Sequence, residues 1–161
     1  MAKNQGVDRI WEAIEDIRLC MLTSQDGATL RSRPMAATPD PDAHCIWFLT
    51  DIRDHKDEEI SAHPQVCAAF ADTRNNTWVS VSGRAEVRRD RSKAKELWGP
   101  ESQAWFPGGP DDPNLALLRL EPAKAEIWDA TSSSIVYALE TARAALTGSR
   151  PNLGDNEKVA M

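Results

Sequence analysis

The sequence Arg31-Ser32-Arg33-Pro34-Met35 is followed by Ile46-Trp47-Phe48-Leu49-Thr50 and then by His55-Lys56. These three segments predict a basic strand, a second strand that ends in a threonine, and a helix that begins with a lysine. Arg31, Arg33 and Lys56 could together hold a phosphorylated ligand, because arginine offers a planar fork of donors and lysine a point charge. The first turn of the helix would add its N–H groups. The plainer alternative is that all three side chains lie on a solvated surface.

The composition limits the possible partners. The chain has 161 residues, which is typical of a single domain. Its 19 basic and 25 acidic residues give a net charge of −6, so broad binding to nucleic acid or to an anionic membrane is not expected. One small phosphorylated ligand remains compatible with this charge. No apolar run of about 18 residues predicts a membrane span, and residues 1–17 carry too many acidic side chains for a signal peptide.

The cysteines indicate a reducing compartment. Cys20, Cys45 and Cys67 are odd in number, far apart and without a CxxC spacing, so neither a disulfide framework nor a zinc site is expected. Each lies in an apolar run and is predicted to be a small buried side chain. We therefore expect a cytoplasmic protein without a metal site.

The spacing of apolar residues predicts a mainly β protein with peripheral helices. Helical spacing predicts an amphipathic helix over residues 7–17 and about three more helices. The predicted strands cover residues 19–24, 28–37, 44–50, 65–71, 78–88, 115–120 and 125–130. Consecutive strands are close in sequence, which favours an antiparallel closed or split β-barrel. Residues 1–147 are expected to form one domain, with 148–161 as an extended C-terminal tail.

Single residues refine this prediction. Pro34 places its strand at an edge of the sheet or at a bulge, and Gly83 predicts a bulge or a bend. Asp90 is expected to cap a helix. Residues 38–42, which contain two prolines, are predicted to form a loop.

The common catalytic and nucleotide-binding motifs are missing from the sequence. There is no Walker A sequence, no GxGxxG after a strand, no GxSxG and no HExxH. Carboxylates are plentiful, but no pair is spaced for general acid–base catalysis. Catalytic residues therefore remain unassigned from the sequence.

The order of several short motifs resembles the flavin-binding split-barrel proteins related to pyridoxamine 5′-phosphate oxidase, and most of all the general stress protein 26 group. The matching segments are residues 32–35, 47–50, 56–60, 64–66, 78–83, 96–98, 105–109, 112–113, 125–129 and 156–159. Together they extend over nearly the whole chain, which is far more specific than any one of them.

The resemblance implies an antiparallel split β-barrel that forms a homodimer, with flavin mononucleotide (FMN) bound at the subunit interface. It implies that Arg33 and Lys56 hold the flavin phosphate and that Met35 lies along the flavin ring. Thr50 is expected near the ribityl chain or the ring, and Trp78 near the flavin. The other expected cofactor-binding residues are Pro34, Leu49, Trp105 and Trp128.

One position departs from the pattern of the family. The serine that usually stands two residues before the lysine is Asp54 in this chain. A carboxylate beside a phosphate costs roughly 1 kcal/mol at about 4 Å in bulk water, and several times more when partly buried. We expect that Asp54 either weakens flavin binding or turns away to cap the helix. The chain also lacks the full basic set with which the vitamin-forming oxidase binds its substrate, so that activity is not expected.

Three functional hypotheses follow from the sequence. The first is an FMN-binding flavoprotein similar to general stress protein 26, with low-specificity flavin-dependent oxidoreductase activity. The second is a non-catalytic flavin-binding or storage module. The third is a split barrel that binds a deazaflavin or haem, with His44, His55 or His63 as an axial ligand. The substrate and the electron acceptor are not identified by any residue pattern.

Overall fold

The computed structural model describes residues 2–130, 134–150 and 154–161. Its strands are β1 (Leu19–Asp26), β2 (Thr29–Ala36), β3 (Thr38–Asp40), β4 (Cys45–Asp51), β5 (Gln65–Asp72), β6 (Thr77–Arg88), β7 (Leu115–Ala130) and β8 (Gly154–Ala160). Its helices are α1 (Ala2–Ile17), α2 (Lys56–Ala62), α3 (Arg91–Leu97), α4 (Ser102–Trp105) and α5 (Ser134–Thr147), with 3₁₀ turns at Ile52–Asp54 and Gly109–Asp111.

The strands form one antiparallel sheet in the order β2-β1-β5-β6-β7-β4-β3, and β8 pairs with β7. Strands β2 and β4, which lie near opposite ends of this order, come close to each other. The sheet therefore curls into an antiparallel split β-barrel with the helices around it. This confirms the predicted fold class.

The main hydrophobic core fills the barrel. Ile10 and Ile14 of α1 lie one turn apart, so both enter this core, as does Ile60 of α2. A second, smaller cluster lies on the other face of β4, where Trp47 packs near Ala94 of α3. Strand β4 is consequently covered on both faces.

Three local predictions are confirmed. Pro34 lies on β2, the outermost strand of the sheet order. Asp90 caps α3, because its side chain accepts a hydrogen bond from the Lys93 N–H at 2.9 Å. The pairing of β6 with β7 changes register beside Gly83. A Cβ built at Gly83 would lie 2.0 Å from the Glu121 carbonyl oxygen, so this crossing requires glycine.

Two predictions are wrong. Residues 38–42 are not only a loop, because β3 pairs with β4 as a short edge strand. Residues 115–120 and 125–130 are not two strands, because β7 continues through Pro122. Pro122 lies opposite Gly83, where the irregular pairing accommodates a residue that has no N–H.

The C-terminal segment contributes to the same sheet. Within residues 148–161, the strand β8 pairs with β7 from Lys124 to Ala130. Its side chains reach α1, since Arg9 Nη1 donates to Glu157 Oε2 at 3.2 Å. Residues 151–153 lie outside the described part of the chain.

Candidate functional site

Helix α2 lies at one end of the barrel and carries part of a charged cluster. It begins at Lys56 after β4 and a 3₁₀ turn, and its Ile60 side chain enters the core. Lys56 and Glu59 are three residues apart, so their side chains project from the same side of the helix. This side faces residues of β1, β2 and β4, which complete the cluster.

Lys56 is a buried cation, with only 5% of its surface exposed. Its Nζ donates to Thr50 Oγ1 at 2.9 Å and to Asp54 Oδ2 at 3.0 Å. Thr50 is itself buried at the end of β4. An ammonium group out of water is costly unless it is paired and hydrogen-bonded. These two hydrogen bonds therefore stabilise and orient the buried ammonium group of Lys56.

The contact of Asp54 contradicts one of the two expectations for this residue. Its carboxylate does not turn away to cap α2, because it binds Lys56 and α2 has no side-chain cap. The alternative in which Asp54 caps the helix is therefore wrong. The Asp54 side chain remains 57% exposed at the mouth of the cluster.

Arg33 joins the cluster from the inner face of β2. Its Nη2 donates to Glu59 Oε2 at 2.8 Å and its Nη1 donates to Ser24 Oγ at 3.2 Å. Ser24 Oγ donates to Glu59 Oε2 at 2.9 Å, and Arg31 Nη1 donates to Glu59 Oε1 at 3.3 Å. Arg33 Nε is buried and has no hydrogen-bond partner among the described residues.

Glu59 is ionised by this arrangement. Burial alone would raise the pKa of its carboxyl group, but hydrogen bonds from Arg33 and Ser24 and the charges of Arg33 and Arg31 lower it further than burial raises it. The pKa of Glu59 consequently lies below its ordinary value. The carboxylate therefore remains charged near neutral pH and holds the two guanidinium groups.

The buried polar side chains of the described residues are grouped in this cluster. Within residues 2–130, 134–150 and 154–161, the polar or charged residues classed as buried are Ser24, Thr50 and Lys56, and all three belong to it. Its three cations, Arg31, Arg33 and Lys56, face two carboxylates, those of Asp54 and Glu59. One positive charge is left over, which favours an anionic ligand at this end of the barrel.

Of the apolar residues predicted beside the flavin, only Met35 shares a strand face with a cation of the cluster. Met35 lies on the inner face of β2 and is buried opposite Cys20. Pro34 lies on the outer face of the same strand and is exposed. Leu49 precedes Thr50 on β4 and packs against the second hydrophobic cluster. The structure thus keeps Met35 on the side of Arg33, whereas the side chains of Pro34 and Leu49 face away from the charged cluster.

The predicted tryptophans lie elsewhere. Trp78 on β6 is paired with Trp128 on β7, and each is 37% exposed on the outer face of the sheet. Trp105 ends the short helix α4 and is 76% exposed. The structure therefore brings Trp78 and Trp128 together, but it does not bring them to the charged cluster.

The separation of the two groups follows from the sheet topology. Trp78 and Arg33 are three strands apart and face opposite sides of the sheet. Strands are spaced about 4.8 Å apart, so their backbones are roughly 14 Å apart along the sheet. Trp128, the partner of Trp78 on β7, is one strand further from Arg33 and faces the same outer side as Trp78. One ligand could not contact both groups within a single copy of the chain.

Glu59 and Ser24 are site residues that the sequence prediction missed. Ser24 could have been found from strand alternation, since Cys20, Leu22 and Ser24 share the inner face of β1. Glu59 could have been found from its position three residues after Lys56. Their contacts with Arg33 depend on how β2 packs beside α2, and no local sequence pattern predicts that packing.

The donors present fit the phosphate end of a flavin. Arg33 has a buried Nε without a partner, and the ammonium of Lys56 has one donor more than its two hydrogen bonds use. A phosphate offers acceptor oxygens for both. Asp54 is the one group of the cluster that opposes such a ligand from an exposed position.

Other candidate chemistry is limited. The described residues contain no group of three or more His, Cys, Asp or Glu that could hold a metal ion. Cys20 and Cys45 are buried as predicted, whereas Cys67 is half-buried. Burial, together with the nearby Cys67, raises the pKa of Cys20 to about 12, so its thiol is inert. Among the described helices, none is long and apolar enough to cross a membrane.

Comparison with known proteins identifies relatives of the whole chain. A family model described as pyridoxamine 5′-phosphate oxidase like matches residues 5–152. Protein bli-3 of Neurospora crassa is 26% identical over 156 residues, which cover 90% of this chain and 75% of that protein. A crystal structure of general stress protein 26 from Jannaschia sp. CCS1 is 29% identical, covers 99% of both chains and has a TM-score of 0.77. The general stress FMN/FAD binding protein of Xanthomonas citri is 34% identical, with 78% of this chain and 89% of that chain covered and a TM-score of 0.69.

Proposed function

Because the chain belongs to the pyridoxamine 5′-phosphate oxidase-like family, we propose that it binds FMN without a covalent bond. The observation that carries this proposal is the buried cation cluster at the end of the barrel. Lys56 is 5% exposed, and Arg33 keeps a buried donor without a partner among the described residues. Keeping such groups out of water destabilises the fold, and hydrogen bonds to an anionic ligand would offset that loss of free energy.

Each predicted residue has a role in this proposal. Arg33 and Lys56 hold the phosphate, and the hydroxyl of Thr50 orients Lys56 and the ribityl chain. Met35, which shares a face of β2 with Arg33, supplies apolar surface beside the ring, and Pro34 and Leu49 are further apolar contacts proposed for the flavin. Ser24 and Glu59 position Arg33, because they fix two of its three nitrogen atoms. The remaining proposed contacts are those of Trp78, Trp105 and Trp128.

We further propose that the flavin lies between two copies of the chain. Trp78 and Trp128 cannot reach the charged cluster of their own copy, so they would meet the ring bound by a partner. Leu19 and Met21 on β1 are exposed on the same outer face. We call these four residues the aromatic patch. Exposed apolar surface of this kind marks an interaction site.

A bound flavin would supply one- and two-electron redox chemistry, and the chain would supply binding and orientation. Both carboxylates of the cluster are engaged in ion pairs, so neither is a free acid or base. We therefore propose a low-specificity flavin-dependent oxidoreductase of the cytoplasm that is related to the general stress proteins. The same engaged carboxylates favour a second candidate, a non-catalytic flavin-binding or storage module.

Flavin binding by the purified 161-residue chain is the first test of this proposal. We expect a yellow protein, or quenching of flavin fluorescence when FMN is added, and a dimer in light scattering. Riboflavin serves as the matched ligand without a phosphate and should bind at least tenfold more weakly. A deazaflavin and haem, titrated in parallel, test the remaining alternative. A colourless protein that leaves FMN fluorescence unchanged would contradict the proposal.

Turnover separates the two candidate functions. Under anaerobic conditions, NADH or NADPH should bleach the flavin absorbance of an oxidoreductase and leave that of a storage module intact.

A further inference from the structure

Helix α5 presents an apolar stripe that the described residues of its own chain leave exposed. Leu139, Ala142 and Leu146 recur at three- and four-residue spacing and so share one face of the helix. Leu139 is 65% exposed and Leu146 is 88% exposed. Glu140 and Arg143 form an ion pair on another face. An amphipathic helix gains most of its stability from burying such a stripe, and the described residues leave this one largely exposed.

The aromatic patch is the second apolar surface that the chain leaves open. Leu19 is 65% exposed and Met21 is 44% exposed, beside the two tryptophans. The chain enters α5 from the end of β7 that carries Trp128, and β8 returns to pair Asn156 with Trp128. The helix and the patch are therefore tethered at the same end of the sheet, and yet each remains exposed.

These observations favour a second copy of the chain as the partner of α5. Each copy has a net charge of −6, so association requires surfaces that carry little charge. The only charged side chains of α5 are Glu140 and Arg143, which neutralise each other, and the patch has none. A twofold axis would let each helix cover the patch of the other copy, which closes the assembly at a dimer.

The available area supports the same arrangement. The aromatic patch lies in two rows of outward side chains that run from β2 to β7 and contain one charged residue, Glu126. These rows cover on the order of 300 Å², so two copies supply about half of the ~1,200 Å² that a small specific interface buries. Helix α5 spans 14 residues, or about 21 Å at 1.5 Å per residue, and is about 10 Å wide. One such helix from each copy provides most of the missing area.

We infer that α5 of one copy packs through Leu139 and Leu146 across the aromatic patch of a second copy. This inference rests on the proposed dimer and adds the segment that closes it. The helix of the partner then shields Trp78 and Trp128 from water. It forms an apolar wall over the side of the interface where the flavin ring is proposed to lie.

Photo-crosslinking of the full-length chain tests this inference. p-Benzoylphenylalanine replaces Leu146 in one sample and Thr147, which lies off the stripe, in the matched control. Unlabelled and ¹⁵N-labelled copies are mixed, so that links between copies are recognised by mass. We expect position 146 to link to β1, β5, β6 or β7 of the other copy, and position 147 to link at least fivefold less. Links only within one copy, links only between two α5 helices, or no links would overturn the inference.

A double variant gives a second readout. Leu139→Glu with Leu146→Glu should weaken the dimer at least tenfold in sedimentation while leaving the circular dichroism spectrum of the sheet unchanged. An unchanged dimer would overturn the inference. Both experiments are done without flavin, so a linked dimer that binds no FMN would reject only the proposed function. A flavin-binding protein whose α5 links only to its own copy would reject only this inference.

Discussion

Lys56 illustrates, at the scale of the residue, how the cluster keeps a buried charge. Thr50 and Asp54 each accept one of its hydrogen bonds, and they come from the end of β4 and from the 3₁₀ turn that follows. Arg33 is held in the same way by Ser24 and Glu59. The two cations are thus oriented before any ligand arrives, which lowers the entropic cost of binding.

Removing either cation should weaken FMN binding. We expect Lys56→Met and Arg33→Met each to cost roughly 1.5–3 kcal/mol of binding free energy, the range of a hydrogen bond to a charged group. Titration of FMN fluorescence measures this loss. Arg53→Met is the matched control, because Arg53 is a nearby exposed cation that pairs with Asp51 outside the cluster. Equal affinity of the wild type and both cluster variants would place the flavin elsewhere.

Asp54→Ser should have the opposite effect. The change removes a carboxylate that lies 3.0 Å from Lys56 Nζ and restores the residue usual in the family. Because the phosphate then meets one negative charge fewer, we expect an affinity gain of about 1 kcal/mol. The gain should shrink as salt is added, since Asp54 is partly exposed. An unchanged or lower affinity in the same titration would show that Asp54 does not oppose the ligand.

Elements of the fold differ in how far the sequence predicts them. The helix predicted to begin at Lys56 is found as α2, because a charged first turn and an apolar Ile60 form a clear local pattern. The continuity of β7 was missed, because Pro122 normally interrupts a strand. It is tolerated only because Gly83 lies opposite, and that pairing joins residues far apart in the chain.

The same limit applies to the candidate site. Of the predicted residues, Thr50 contacts Lys56 directly, and Arg33 contacts Glu59, which is three residues after Lys56 on α2. Trp78 and Trp128 were predicted in the same site, but the curvature and order of the strands place them on the opposite face of the sheet. Strand alternation reports which residues share a face, but not which strands will be neighbours.

The close approach of β6 and β7 at Gly83 predicts that alanine substitution destabilises the fold much more at Gly83 than at Gly99. Gly83→Ala would bring a Cβ to 2.0 Å from the Glu121 oxygen, whereas Gly99→Ala meets no atom within 4 Å. We expect Gly83→Ala to destabilise the fold by more than about 3 kcal/mol, because the backbone of β7 would have to move. At about 2–4 °C per kcal/mol this lowers the melting temperature by at least roughly 6 °C. The melting temperature of Gly99→Ala should remain within about 2 °C of the wild type.

At the scale of the whole molecule, pH and stability are linked through two partly buried carboxylates, those of Glu59 and Asp40. The pKa of Glu59 is lowered in the folded chain, since its hydrogen bonds and cationic neighbours outweigh burial. The pKa of Asp40 is lowered for the same reasons, with the Ala43 N–H, Lys93 and Trp47 as its partners. A carboxyl group whose folded pKa is depressed stabilises the fold above its unfolded pKa, and this contribution is lost as pH falls through the folded pKa.

The stability of the chain should therefore fall as the solution is acidified below the ordinary glutamate pKa of about 4.3. Urea unfolding at pH 7, 5, 4 and 3 measures the decline. Glu59→Gln should be less stable than the wild type at pH 7, because Arg33 loses its charged partner, and the difference should narrow toward pH 3. A difference that is the same at every pH would show that ionised Glu59 does not stabilise the fold.

The two outermost strands of the sheet order each contain a proline, Pro34 on β2 and Pro39 on β3. A proline in an edge strand lies where its missing N–H would point outward, so it breaks the row of donors that a foreign strand needs. Stacking of these edges into amyloid-like ribbons is thereby discouraged. A chain that leaves broad apolar faces open during synthesis would need such protection, and replacing either proline should shorten the lag before fibrils form in a crowded solution.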